Sequence, residues 1–138
     1  MKKHLELALT QIGVKEVVGN LHNPEVLKYF NEIGHSWVKT DEMAWCSAFV
    51  NWVCKKTGLQ YTGKLNARSW MKIGHQVTNP KAGDIVVFWR SNPKSWKGHV
   101  GFFINQIGNK VYVLGGNQKN QVCIQSYPAN RLLSIRRL

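Results

Sequence analysis

The sequence predicts an α+β fold, with helices first and an antiparallel sheet afterwards. Three observations carry that reading. Up to about residue 75, apolar residues recur at helical spacing between capping residues. From residue 80 they run in short strand-length stretches parted by Gly, Asn and Pro turns. The three cysteines are widely spaced with no CxxC pair, so neither a disulfide framework nor a zinc knuckle holds the fold. A segregated run of helices and then strands is the α+β pattern.

The first helix is expected over 3–12, where Leu5, Ala8, Leu9 and Ile12 share a face and Gly13 ends the pattern. A loop over 13–22 follows. Asn23-Pro24-Glu25 reads as a helix start, with Asn as N-cap, Pro at the first position and an acid in the first turn. Val26, Leu27, Phe30 and Ile33 form its buried stripe before Gly34. A third helix is expected over 43–56, capped near Thr40 or Asp41 and closed by Lys55, Lys56 and Gly58. A short helix over 66–73 comes next. About five strands follow: 84–89, 99–106, 111–114, 122–126 and 132–136, with a polar loop over 91–98. No repeat, linker or low-complexity segment interrupts the chain, so 1–138 is read as one domain.

Composition narrows the function. Hydrophobic content of 43% with six Trp says globular. No apolar run approaches the roughly 20 residues of a membrane span, and the start lacks the apolar segment of a signal peptide. Synthesis in the cytoplasm is therefore expected. The net charge of +12 favours a polyanionic partner, such as nucleic acid, anionic lipid or an anionic cell envelope. The cations are scattered, and pairs such as Lys55-Lys56 and Arg136-Arg137 make no nucleic-acid-binding arm. No nucleic acid, metal or cofactor is expected.

The chemistry concentrates at Asp41-Glu42-Met43-Ala44-Trp45-Cys46-Ser47, a polar loop running into an apolar helix with a thiol at the junction. Unpaired N–H groups and the macrodipole at a helix N-terminus favour thiolate. Gly98-His99-Val100 opens an apolar strand, and Gly115-Gly116-Asn117 ends the next. A cysteine, a histidine and a polar amide in that order suit a cysteine hydrolase. Ser47 is a rival nucleophile, but the Gly-x-Ser-x-Gly elbow is absent. Cys54 and Cys123 read as ordinary thiols, and His75 as a loop residue. The bland readings are a core Cys46, a capped surface His99 and a turn Asn117.

This ordered set, joined by Asn23-Pro24, Ala67-Arg68-Ser69-Trp70, Gly83-Asp84-Ile85-Val86-Val87-Phe88, Gly98-His99-Val100-Gly101-Phe102 and Leu114-Gly115-Gly116-Asn117-Gln118, resembles small bacterial and phage peptidoglycan hydrolases. They are the NlpC-type and CHAP-type (cysteine, histidine-dependent amidohydrolase/peptidase) branch of the papain-like fold. The resemblance spans nearly the whole chain. It implies N-terminal helices packed on the sheet, and hydrolysis of an amide in the cell-wall stem peptide, by an amidase or an endopeptidase. By position, Cys46 matches the nucleophile, His99 the base and Asn117 the third, orienting residue. Many CHAP-type members carry an acid two residues before that Asn. Here the position is Gly115, so Asn117 or Gln118 is left to orient the imidazole. The backbone N–H of Cys46 and one further donor would meet the oxyanion.

Asp41, Glu42, Trp45, Arg68 and Gln118 are the candidate substrate contacts. Asp41 and Glu42 would meet a stem-peptide amine, with N-terminal capping charge as the plain alternative. Arg68 would bind a substrate carboxylate, against a solvated helix face. Trp45, Trp89 and Trp96 would line the groove, against a place in the core. A monomer is expected, serving as a phage lysin or as a delivered antibacterial effector with an immunity protein as partner. The rival from another class is a non-catalytic wall-binding module on the same fold.

Overall fold

The computed structural model describes residues 2–17, 22–38 and 44–138. Among the described residues three α-helices precede the sheet: α1 (Lys3–Thr10), α2 (Pro24–Asn31) and α3 (Cys46–Lys56). The expected cap of α2 is in place, with Asn23 Oδ1 accepting from the Glu25 N–H at 2.8 Å. Helix α3 begins later than the apolar spacing suggests, because its N-cap is Trp45, which makes no side-chain cap bond. Thr40, Asp41, Glu42 and Met43 lie outside the described residues. The short helix expected over 66–73 is a 3₁₀ helix, Ala67–Lys72.

Among the described residues six strands, rather than about five, form one antiparallel sheet: β1 (His75–Gln76), β2 (Ile85–Trp89), β3 (Gly98–Ile107), β4 (Lys110–Gln118), β5 (Gln121–Pro128) and β6 (Leu132–Arg137), in the order β1-β6-β2-β3-β4-β5. The extra strand is a two-residue edge piece in which His75 pairs with Arg137, too short to show alternation. Asp84 receives Arg137 through both carboxylate oxygens, at 2.9 and 2.8 Å, and so ties β6 to the start of β2.

Alternation along the strands sorts two apolar layers. Ile85, Val87, Val100, Phe102 and Leu114 face the helices and pack with Phe30, Phe49 and Trp70. Val86, Phe88, Phe103, Val111 and Val113 face the other way, under Tyr127, Leu132 and Ile135. Both faces of the central strands are therefore dry, which explains the continuous apolar run of β2.

The approach of α3 to the sheet depends on Gly116. A Cβ there would stand 2.8 Å from Phe49 Cβ and from the Trp45 ring, closer than packed carbons tolerate. We expect Gly116→Ala to destabilise the protein by about 1–3 kcal/mol, the usual range for forcing a methyl into a filled core. A urea unfolding midpoint equal to that of the unsubstituted protein would contradict this packing.

Candidate active site

Cys46 is the first residue of α3 and is nearly buried, at 6% exposure. The backbone N–H groups of Val100, Ser47 and Cys46 itself act on its sulfur and favour the thiolate. The uncapped helix end thus directs first-turn amides at the thiol, as the sequence suggests. Burial nevertheless has the larger effect and pushes the thiol above its ordinary range, against the Val100 N–H and the Arg90 charge, which pull it down. At rest the group is a thiol, so the helix-end argument alone does not make a thiolate here.

Val100 follows His99, which places the sulfur at the backbone of the histidine's neighbour. The imidazole is also buried, and its Nε2 lies 2.9 Å from Gln118 Oε1. Gln118 Nε2 donates to the carbonyls of Val113 at 3.2 Å and Cys123 at 2.7 Å. An amide nitrogen has only donors, so the oxygen must face the histidine, and the ring must carry its proton on Nε2. Nδ1 is then the basic nitrogen. Tyr127 stacks on the same ring with centroids 5.0 Å apart. Burial holds the imidazole neutral and brings its pKa down to about 4. The Gln118 bond opposes that shift and the Arg90 charge adds to it. Arg90 acts electrostatically on Cys46, His99 and Tyr127 alike, so the four groups share one neighbourhood.

A β-bulge decides which amide reaches the ring. Phe103 pairs with Val113 and Phe102 with Leu114. Continued alternation would set Asn117 across from His99, and Asn117 is one of the two residues, with Gln118, that the sequence leaves to orient the ring. Instead, Gly115 pairs with Cys123 and Gln118 with Gln121, so three steps along β4 match two along β5. The extra residue moves Gln118 onto the face of His99. Asn117 takes the left-handed φ of 59° and is half-buried. The ring partner is therefore Gln118, and Asn117 shapes the bend. Gly115 explains how the longer side chain fits. A Cβ at that position would stand 2.6 Å from Gln118 Oε1 and 3.4 Å from His99 Nε2. Gln118 oxygen thus lies where a side chain on residue 115 would begin.

The other candidates divide. Trp45 is fully buried and donates to Glu16 Oε1 at 2.6 Å, so it is a core residue and not a groove wall. Arg68 does not present its guanidinium to the groove. It donates to the carbonyls of Lys97, Pro93 and Asn92 at 2.9, 2.9 and 3.2 Å, and so fastens the loop over 91–98. Asp41 and Glu42 lie outside the described residues. Ser47 is fully buried, donates to the Lys64 carbonyl at 2.6 Å and accepts from Trp70 Nε1 at 3.0 Å, an architectural use of the hydroxyl. Asn51 extends that strut by donating to Lys64 and accepting from the Gly63 N–H. Cys54 is a core thiol, pushed up to about 12 by burial.

A groove of about 300 Å³ opens beside Cys46, lined by Leu65 and Asn66 on one side and by Arg90, Trp96 and Lys97 on the other. Trp96, 75% exposed, is the groove aromatic of the three proposed, whereas Trp89 holds the Asn130 carbonyl and stacks under Arg131. Arg90 and Lys97 are lining residues that the motifs did not single out. The available signal was a cation on either side of the loop that leads into Gly98-His99. A larger cavity, about 370 Å³ around His4, Asp84 and Arg137, contains none of the candidate residues. Among the described residues, no cluster of three or more His, Cys, Asp or Glu could hold a metal ion, and no helix is long and apolar enough to cross a membrane.

A thiol at a helix N-terminus, brought against a strand that bears a buried histidine, on helices packed over an antiparallel sheet, defines the papain-like class. Residues 38–117, more than half of the chain, match a family model for the CHAP domain. The chain belongs to that family, whose members act as peptidoglycan-related hydrolases on the cell wall. Among solved structures it is similar to a protein described as similar to a lipoprotein of the NLP/P60 family, from Staphylococcus aureus subsp. aureus Mu50. The identity is 19% and the TM-score 0.55, over 97% of this chain and 40% of that one. This chain thus spans about two-fifths of that protein's length. No curated protein sequence matches the chain.

The buried neutral imidazole links stability to pH. Its folded pKa of about 4 lies below the unfolded value near 6.5, so the unfolded chain binds the proton first. This contribution is complete above pH 6.5 and is lost as pH falls towards 4, at about 1.4 kcal/mol per unit. We expect the stability difference between the unsubstituted protein and His99→Gln to shrink across that window. A difference that stays constant between pH 7 and 4 would contradict it.

Proposed function

We propose that this chain cleaves an amide bond of the peptidoglycan stem peptide, with Cys46 as nucleophile, His99 as base and then acid, and Gln118 as the positioning residue for the imidazole. The observation that carries the reading is the Gln118 amide, whose two donor bonds leave His99 Nδ1 as the basic nitrogen. In the proposed cycle Nδ1 takes the Cys46 proton as sulfur attacks the scissile carbonyl carbon. The carbonyl oxygen becomes an oxyanion beside the Cys46 N–H, one of the first-turn amides of an uncapped helix. When the tetrahedral species collapses, the C–N bond breaks and the imidazolium gives its proton to the leaving amine. Water, deprotonated by the same nitrogen, then releases the acyl group from sulfur.

An uncharged third residue has a consequence. A carboxylate would hold the imidazolium by charge, whereas Gln118 fixes ring orientation and tautomer alone. Burial disfavours both the thiolate and the imidazolium as separate charges. The ion pair is then favoured mainly once substrate completes the site. Such a strategy uses geometry more than a permanently activated sulfur.

Cys46→Ala should abolish hydrolysis of purified sacculi while leaving the thermal unfolding transition in place. Binding to sacculi without hydrolysis by the unsubstituted protein would instead identify a wall-binding module. Mass spectrometry of the digest assigns the bond as amidase or endopeptidase. The pH profile of kcat/KM should keep its plateau well below the ordinary imidazole pKa, with the acid limb near 4, and should extend past the usual thiol value. An acid limb near 6.5 would contradict the buried neutral histidine.

A further inference from the structure

The arginines of this chain differ in one respect. Arg68 is engaged by three backbone carbonyls, Arg136 by the carbonyls of Ile73 and Gly74, Arg137 by Asp84, and Arg131 lies over Trp89. Arg90, directly after β2, is exposed, and among the described residues its guanidinium has no hydrogen-bonding or ion-pair partner. It lines the groove that contains Cys46. Lys97 stands across the loop from it, and among the described residues no Asp or Glu lines the groove.

The loop that carries these cations is held in place. The Arg90 N–H donates to the Lys97 carbonyl at 3.4 Å, and Arg68 grips that same carbonyl together with those of Asn92 and Pro93. The Asn92 Oδ1 accepts from the Lys94 N–H, and Ser95 Oγ from the Lys97 N–H, which closes the turn internally. A planar fork of donors on an anchored backbone, beside a second cation, fits a carboxylate held through two parallel bonds.

We infer that Arg90 is a specificity-determining residue, and that it binds a free carboxylate of the stem peptide close to the scissile amide. The inference rests on the hydrolase reading above and deepens it. Conversion of that carboxylate to a carboxamide, a change of one functional group, removes the charge and one acceptor. The groove then loses a charge-assisted pair, which amounts to a tenfold or larger difference in affinity. Trp96 supplies an apolar face beside the pair, suited to the aliphatic part of the same residue.

The test uses synthetic stem peptides that are identical except for carboxylate or carboxamide groups. The unsubstituted protein should show kcat/KM about tenfold or more higher for the carboxylate form. Arg90→Gln should bring the ratio near one, mainly by raising KM for the carboxylate form, and Arg90→Lys should restore part of it. Equal kcat/KM for the two peptides in the unsubstituted protein would overturn the inference. So would a ratio that survives in Arg90→Gln, or an equal fall in kcat for both peptides, which would mean Arg90 acts only through its field on the thiol and the imidazole. Dissociation constants of both peptides, measured by calorimetry in Cys46→Ala with and without Arg90→Gln, test the carboxylate preference independently of turnover. Absence of hydrolysis with a retained preference would sink the hydrolase reading and keep this one.

Discussion

A primary amide has two hydrogens and one oxygen, and the sheet leaves Gln118 one way to use them. The Val113 and Cys123 carbonyls take the nitrogen, so the oxygen is turned to His99. From that orientation the tautomer of the ring follows, and from the tautomer the identity of the basic nitrogen. The amide is itself held by the bulge at the end of β4, and the bulge by the left-handed backbone of Asn117. A short chain of local constraints therefore connects one unusual φ angle to the protonation state of a ring on the neighbouring strand. The hydrogen bonds in that chain join buried or partly buried groups, where an unpaired partner costs about 1–3 kcal/mol, so alternative arrangements are disfavoured.

The thiol comes to the strand that carries this ring because α3 packs closely on the sheet. Gly116 clears the space for Phe49 and Trp45, and the buried strut through Ser47, Asn51, Lys64 and Trp70 fixes the first two turns against the 3₁₀ helix. The same closeness buries the sulfur. Helix-end stabilisation of an anion is typically about 0.3–1 kcal/mol, and the loss of water around a charge in an apolar pocket exceeds it. Position at a helix end and a lowered thiol pKa are thus separate properties, and in Cys46 burial outweighs the helix end.

Much of this was legible in the residues. Asn23-Pro24 marks α2 because capping is a local effect, and alternation marks the strands because their side chains must divide between two faces. Cys46 and His99 stand out through their junction positions. The residues alone leave the orienting role between Asn117 and Gln118. Counting alternation leads to Asn117, and a single inserted residue reverses the count without changing composition. Arg68 looked like a substrate ligand because a cation's donors are visible in sequence and the carbonyls they meet are not. The core place of Trp45 is hidden in the sequence for a related reason, since its partner Glu16 lies 29 residues away. Arg90 belongs to no motif, because its interest lies in what it does not touch.

The grip of Arg68 on the loop over 91–98 is made entirely to main-chain oxygens, at Asn92, Pro93 and Lys97. Every amino acid carries that oxygen. The fastening is therefore blind to the side chains of the loop it secures, including those of Lys94, Trp96 and Lys97. Drift in the loop's side chains leaves its anchor intact, so selection can retune the groove one residue at a time without first rebuilding its wall. Arg68 in that sense acts as a socket: the part it holds is interchangeable, and the domain can acquire a new preference while its Cys46 and His99 stay where they are.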